Sequence, residues 1–344
     1  MKMKKISGVV LACALAAAAA QQAPHNTPLN DLGKGLYLGK FEGGLYEHGS
    51  NTVPADHDAA GRKFAAEIAP IRGKIVLLSI GMSNAMDEFG IFLRTSQTNP
   101  QFNASVALVN GAFGGIGPCA YTVPQGSPHD QCGGNAPNPY DWALSNRFSR
   151  AGVSEDQVEI VWIKEAIGMS AQVPWPPSLP DPKADAYAYE KFLGGMLRAI
   201  RVRYPNVKLA FLSSRIYGGY DQTSKNHEPY AYEYGFSVKW AIQAQIDQNE
   251  RGKRADAVTG DLSYAAAPWI AWGPYLWADG PSPRSDGLVW CNGSRTPQPP
   301  CNAASDFSPD ALHPNPSGQM KVARMLWSFF STSPYTKRWF LKTG

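Results

Sequence analysis

The sequence predicts an α/β fold: a mainly parallel sheet with helices on both faces, making a three-layer α/β/α sandwich. Three observations predict it. Four short runs rich in β-branched residues, Lys74–Ile80, Ser105–Asn110, Val158–Ile163 and Val207–Ser213, are apolar rather than alternating. That is the pattern of strands covered on both sides. Helical periodicity falls between and after them, and no linker-like composition break or internal repeat divides the chain. One domain over residues 21–344 therefore accommodates the pattern.

The elements follow in order. The chain opens Met1-Lys2-Met3-Lys4-Lys5, and Ile6 to Ala20 is apolar and ends in alanines. A basic start, a short apolar stretch and small residues read as a secretory signal peptide over residues 1–20. The stretch is too short for a membrane span, and no other segment is apolar enough for one. A lipoprotein site at Cys13 ranks second, because the alanine-rich run continues past it. The expected location is secreted or periplasmic. Losing Lys2, Lys4 and Lys5 takes the formal charge from +4 to about +1. Without a basic block or an acidic tail, the composition gives no reason to expect a nucleic-acid partner.

Residues 21–55 are Gly-rich and are expected to wrap the surface. The first strand runs into Gly81-Met82-Ser83-Asn84 and a helix. The second runs into a glycine turn and a Gly/Pro/Asn loop over 114–141. Helices are expected over Ala184–Tyr204, where Tyr187, Phe192, Leu193, Met196, Leu197 and Ile200 recur at helical spacing, and over Phe236–Asn249 and Ser317–Phe330. Residues 261–306 read as a loop rich in tryptophan and proline.

Setting Cys13 aside leaves Cys119, Cys132, Cys291 and Cys301. An even number in an exported chain implies disulfides, and three pairings are possible. The local one, Cys119–Cys132 with Cys291–Cys301, pins the two long loops and is preferred. Neither pair has the Cys-x-x-Cys spacing of a structural zinc site. Asp56-His57-Asp58 is one short run without a matching partner, so no catalytic metal and no cofactor are expected.

A serine hydroxyl becomes a nucleophile when a base takes its proton, and the base needs a third group to fix its tautomer. Ser83 lies at the carboxyl end of a strand, where functional groups gather in parallel sheets. Asp310-Ala311-Leu312-His313-Pro314 lies before the last helix. Singly, Ser83 reads as a helix N-cap and His313 as a loop histidine near the final helix. Jointly, in this order, they read as nucleophile, base and orienting carboxylate. Activity should then rise with pH through the ordinary histidine range of about 6–7.

These blocks resemble the SGNH/GDSL hydrolase superfamily. The resemblance runs in separate segments from about Lys74 to Phe330, and Asp310–Gly318 is its most specific part. It implies a flavodoxin-like sheet and a two-step acyl-enzyme mechanism carried by Ser83, Asp310 and His313. Ordinary α/β-hydrolases place the serine in Gly-x-Ser-x-Gly; here Ala85 takes the second glycine position. In the resemblance, Gly115 offers an oxyanion N–H, with Gly114 as the neighbouring alternative and the Ser83 N–H as another donor. The family's Gly-x-Asn-Asp block is absent. Val161-Trp162-Ile163-Lys164-Glu165 stands there instead, closer to the Trp-x-Gln-Gly-Glu segment of the sialate and xylan acetylesterase branch. Lys164 then either supplies the missing oxyanion donor or pairs with a nearby carboxylate. As a donor, its loss would cut turnover without unfolding the protein.

Substrate contacts are expected from Asn84, which alternatively caps its helix, and from Glu165. Arg215 would bind a substrate carboxylate or, preferably, pair with Glu165 or Asp87. One or two of the loop tryptophans, Trp272 and Trp277, would form a sugar wall, although most aromatics there are expected in the core. The leading expectation is a secreted esterase that removes acetyl groups from an acylated carbohydrate. A lipid or polyester esterase, or a glycan-binding protein on a degenerate scaffold, are the alternatives.

Overall fold

The computed structural model describes residues 26–342 apart from 133–135, 169–174, 222–226, 294–298 and 303. The expected leader, Cys13 and His25 lie outside the described residues. A five-stranded, wholly parallel sheet forms the centre: β1 Ile75–Gly81, β2 Val106–Asn110, β3 Val158–Lys164, β4 Leu209–Leu212 and β5 Trp269–Trp272. Their spatial order is β2-β1-β3-β4-β5, the flavodoxin-like order. In register, Leu78 pairs with Val109 on one side and Val161 on the other, and Ala210 pairs with Ile270.

Both faces of the sheet are apolar because both are covered. Val76, Leu78 and Ile80 point into one layer with α3 Asp185–Arg203 and α4 Tyr230–Glu250. Ile75 and Leu77 point into the other, with α2 Ser83–Gln97 and α5 Pro316–Thr332, where Phe89, Phe92, Leu326 and Phe330 are buried. The result is a three-layer α/β/α sandwich. The switch in strand order falls between β1 and its two neighbours, so the loop after β1 opens at the crevice where ligands bind in such sheets.

Three elements differ from expectation. The 261–306 stretch is not all loop, because Trp269–Trp272 inside it is the edge strand β5. Its four residues are all buried, and the aromatic and proline content around it masks so short a run. Helix α1, Ala55–Ala66, also goes unannounced. Its buried stripe is His57, Gly61 and Ala65, with no large apolar side chain to mark a period. Gly61 is needed because an added Cβ would stand 2.3 Å from the Trp269 ring. Helix α4 begins at Tyr230 rather than Phe236, and its first ten residues are all buried, which erases a one-sided pattern.

The outer edge of β5 is occupied by side chains. The Ile270 N–H donates to Gln245 Oε1 at 2.7 Å, and His57 Nε2 donates to the Ile270 carbonyl at 2.8 Å. His57 is therefore an edge-closing residue. Of its neighbours in the Asp-His-Asp run, Asp58 is held by Arg62 and Tyr335. Among the described residues no group of three metal-ligating side chains forms, and no helix is long and apolar enough to cross a membrane.

The N-terminal segment carries a two-residue hairpin, Leu36–Tyr37 against Phe41–Glu42. Buried Lys239 of α4 fastens it by donating to the Glu42 carbonyl at 2.8 Å.

The disulfides are Cys119–Cys132 and Cys291–Cys301, separated by 13 and 10 residues. Loops of that length give about 3 kcal/mol each through restriction of the unfolded chain. Cys291→Ser/Cys301→Ser is therefore expected to lose about 3 kcal/mol in a urea melt, with little change in m-value.

Candidate active site

Gly81 closes β1 and sets the approach to the site. An added Cβ there would lie 2.1 Å from the Lys164 carbonyl on β3 and 2.6 Å from Ala85 Cβ. Gly81→Ala is accordingly expected to force β1 from β3 and to cost about 3 kcal/mol or more in stability, read from thermal unfolding. Met82 follows in extended conformation as the N-cap, and Ser83 is the first residue of α2. Ser83 is not the side-chain cap expected of it alone. Its hydroxyl turns outward to His313.

The second half of the site is a loop held from behind. The Asn315 side chain caps α5, accepting from Ser317 N–H at 2.8 Å and Gly318 N–H at 3.2 Å, and donates back to the Ser305 carbonyl at 2.8 Å. Gly318 allows the helix to approach closely, since an added Cβ would meet the Asp306 carbonyl at 2.2 Å. The His313 carbonyl accepts from Ser308 N–H at 2.8 Å. These contacts fix the backbone that carries Asp310 and His313.

Ser83 Oγ lies 2.8 Å from His313 Nε2, and His313 Nδ1 lies 2.6 Å from Asp310 Oδ2. An ionised carboxylate only accepts, so Nδ1 carries the hydrogen and Nε2 is left to accept from Ser83. Asp310 Oδ1 also accepts the backbone N–H groups of His313 at 3.0 Å and Leu312 at 3.1 Å. Partial burial pushes the Asp310 carboxyl up, but these N–H groups and the imidazole outweigh it, and its pKa is lowered. Asn84 is 3 % exposed and donates to the Leu312 carbonyl at 3.2 Å. It ties the two halves of the site together and neither caps α2 nor faces solvent.

The turn after β2 lies over the serine. An added Cβ on Gly114 would be 3.6 Å from Ser83 Cβ, while Gly115 meets nothing within 4 Å. Gly115 has φ of +79°, a conformation that favours glycine and turns the backbone here. Phe113 stacks on Trp142 at 4.2 Å between ring centroids, beside this turn. Neither aromatic stood out in the sequence, because Phe113 lies in a glycine turn and Trp142 in a helix of only five residues, too short to show a period.

Behind the serine is a buried charged cluster. Lys164 is 2 % exposed and donates to both carboxylate oxygens of Glu88. Of the two roles expected for Lys164, the ion pair has its partner in place, and the partner is Glu88 on α2. Burial pushes the lysine down to about 8, with Glu88 opposing, and pushes Glu88 up, with Lys164 opposing. Glu165 is buried and accepts from Ala166 N–H at 2.9 Å, leaving Oε2 without a partner. Burial raises its pKa well above the ordinary carboxylate value. Arg215 is also buried, with Nε unpartnered, and makes no ion pair with Glu165 or Asp87 among the described residues. Its pKa is lowered by burial, against the attraction of Glu88 and Glu165.

The tryptophans expected as a sugar wall belong to the core. Trp277 is fully buried and donates to Glu228 Oε1 at 2.8 Å. Trp272 is 5 % exposed and donates to the Leu45 carbonyl at 2.7 Å. It borders a cavity of about 950 Å³ with Tyr46, Asp58 and Tyr335, whose lining does not include Ser83.

No protein-family model and no curated protein matches the sequence. Among solved structures, the chain is similar to a Streptococcus pneumonia protein provisionally described as a platelet activating factor. The identity is 11 %, the TM-score 0.32, and the coverage 79 % of this chain and 92 % of the other. It is similar to a gut microbial diltiazem-metabolizing enzyme at 11 % identity and TM-score 0.37, covering 76 % of this chain and 48 % of that one. It spans about half the length of that enzyme. A third likeness is to a Corynascus thermopiles (Myceliophthora fergusii) carbohydrate esterase family 2 enzyme that carries a carbohydrate binding domain. Here identity is 14 % and TM-score 0.31, with 76 % and 67 % of the two chains covered.

Proposed function

We propose that this chain is a secreted or periplasmic serine ester hydrolase that removes small acyl groups, acetyl above all, from a carbohydrate. The observation that carries the reading is the continuous chain from Ser83 Oγ through the His313 ring to Asp310, with steps of 2.8 and 2.6 Å.

In the proposed mechanism, Ser83 Oγ attacks the ester carbonyl as its proton passes to His313 Nε2. Asp310 stabilises the imidazolium that forms. The tetrahedral intermediate collapses as His313 returns the proton to the departing alcohol, leaving Ser83 acylated. Water then attacks the acyl-enzyme, giving its proton to His313, and the second intermediate releases the acid and regenerates Ser83. The oxyanion is held by the Ser83 N–H and by an amide of the Gly114-Gly115 turn. Ser83 is at the first position of α2, where the N–H has no intrahelical acceptor and the helix end favours negative charge. Lys164 is assigned to the ion pair with Glu88, not to the oxyanion. The two disulfides fit an oxidising compartment.

The test is covalent labelling by a fluorophosphonate followed by peptide mapping. The label is expected on Ser83, together with release of acetate from acetylated xylan or acetylated sialic acid. Absence of the label on Ser83 in folded protein would remove the reading.

A further inference from the structure

Beside the serine lies an arginine without an anionic partner. Arg147 sits in one π-helical turn, Leu144–Phe148, between the α-helical segments Pro139–Ala143 and Ser149–Ala151. Such widened turns are rare and often accompany functional sites. The guanidinium lies 4.7 Å from the centre of the Trp142 ring, the same ring that stacks on Phe113. Its Nη2 is 3.9 Å from Met86 Sδ. Met86 Cε and Ser83 Cβ both lie beneath Gly114, at 3.9 and 3.6 Å from an added Cβ. One side chain therefore separates Arg147 from the nucleophile.

The surroundings of Arg147 contrast with those of the ion-paired arginines. Arg203 pairs with Asp141 and Glu155, and Arg72 with Asp156. Among the described residues no carboxylate lies within ion-pairing distance of Arg147, and its Nε is buried without an acceptor. A guanidinium held over an indole ring, partly dehydrated and lacking a counter-charge, is prepared to take an anion through paired N–H donors.

We propose that Arg147 binds a carboxylate carried by the ester substrate, so that the site selects acyl esters of acidic compounds. This rests on the esterase reading given above. The carboxylate belongs either to the alcohol portion of the ester or to its acyl portion, and matched substrates separate the two. For the alcohol side, 4-acetoxybenzoate is compared with neutral 4-acetoxybenzamide. For the acyl side, mono-4-nitrophenyl glutarate is compared with neutral 4-nitrophenyl valerate. In the wild type, one charged ester is expected to exceed its neutral counterpart in kcat/KM about tenfold. Added salt should shrink that ratio. In Arg147→Met, which keeps a long side chain on Trp142, the ratio should fall towards one. A wild-type ratio near one for both pairs, a ratio indifferent to salt, or a ratio unchanged in Arg147→Met would overturn the assignment while leaving the esterase reading standing. No turnover of any of the four esters by the folded wild type would overturn the esterase reading and this inference with it.

Discussion

Ser83→Ala is expected to lower kcat/KM for 4-nitrophenyl acetate by about 10⁴-fold or more, with stability within about 0.5 kcal/mol of the wild type. The argument is local. The hydroxyl's bond is to His313 Nε2, and the cap of α2 is Met82, so removing Oγ deletes a reacting atom without undoing the helix start. The loss should not deepen when His313→Ala is added, since nucleophile and base act as one unit. Circular dichroism and thermal unfolding of the variant supply the control. Substantial turnover by folded Ser83→Ala protein would place the nucleophile elsewhere.

Lys164→Met is expected to act on stability first. It leaves Glu88 fully buried without its counter-charge, a change that costs about 3–5 kcal/mol. In a chain of this size that is a fall in Tm of about 10 °C. The pH dependence has a definite sign. Burial already raises the pKa of Glu88, and loss of Lys164 removes the main influence that lowers it. A carboxyl whose folded pKa lies above its unfolded value binds its proton more tightly in the folded state, so stability is lost as pH rises through that folded pKa. The deficit of Lys164→Met should therefore shrink on acidification. The double variant Lys164→Met/Glu88→Leu should recover most of the loss, because apolar residues of similar volume replace a buried pair at little cost. A single variant with wild-type stability and reduced turnover would instead assign Lys164 to the oxyanion.

How much was legible in the sequence differs from residue to residue. Four strands were readable because each is a short apolar run, and the three long helices because their buried faces recur. Strand β5 was not, since Trp269–Trp272 is only four residues long and sits among other aromatics. The positions of Ser83, Asp310 and His313 were readable as separate motifs, but their meeting across more than two hundred residues is a property of the sheet. Asn84 was ambiguous because asparagine serves caps and tertiary links equally well, and only the position of the Leu312 carbonyl decides it. Glu88 gave no signal: a glutamate five residues after the serine looks like any helix-surface charge until β3 places Lys164 opposite. Trp272 and Trp277 illustrate the reverse, in which aromatics suited to sugar binding are consumed in packing. Trp142 and Arg147 escaped notice because a π-helical turn breaks the spacing by which helical neighbours are recognised.

The closed margin of β5 has a consequence for assembly. A foreign strand could add to the sheet there only by displacing the Gln245 carboxamide and the His57 imidazole from the Ile270 peptide. Copies of this chain are thus barred from merging their sheets along that side, and any dimer that uses it must be built from side-chain surfaces.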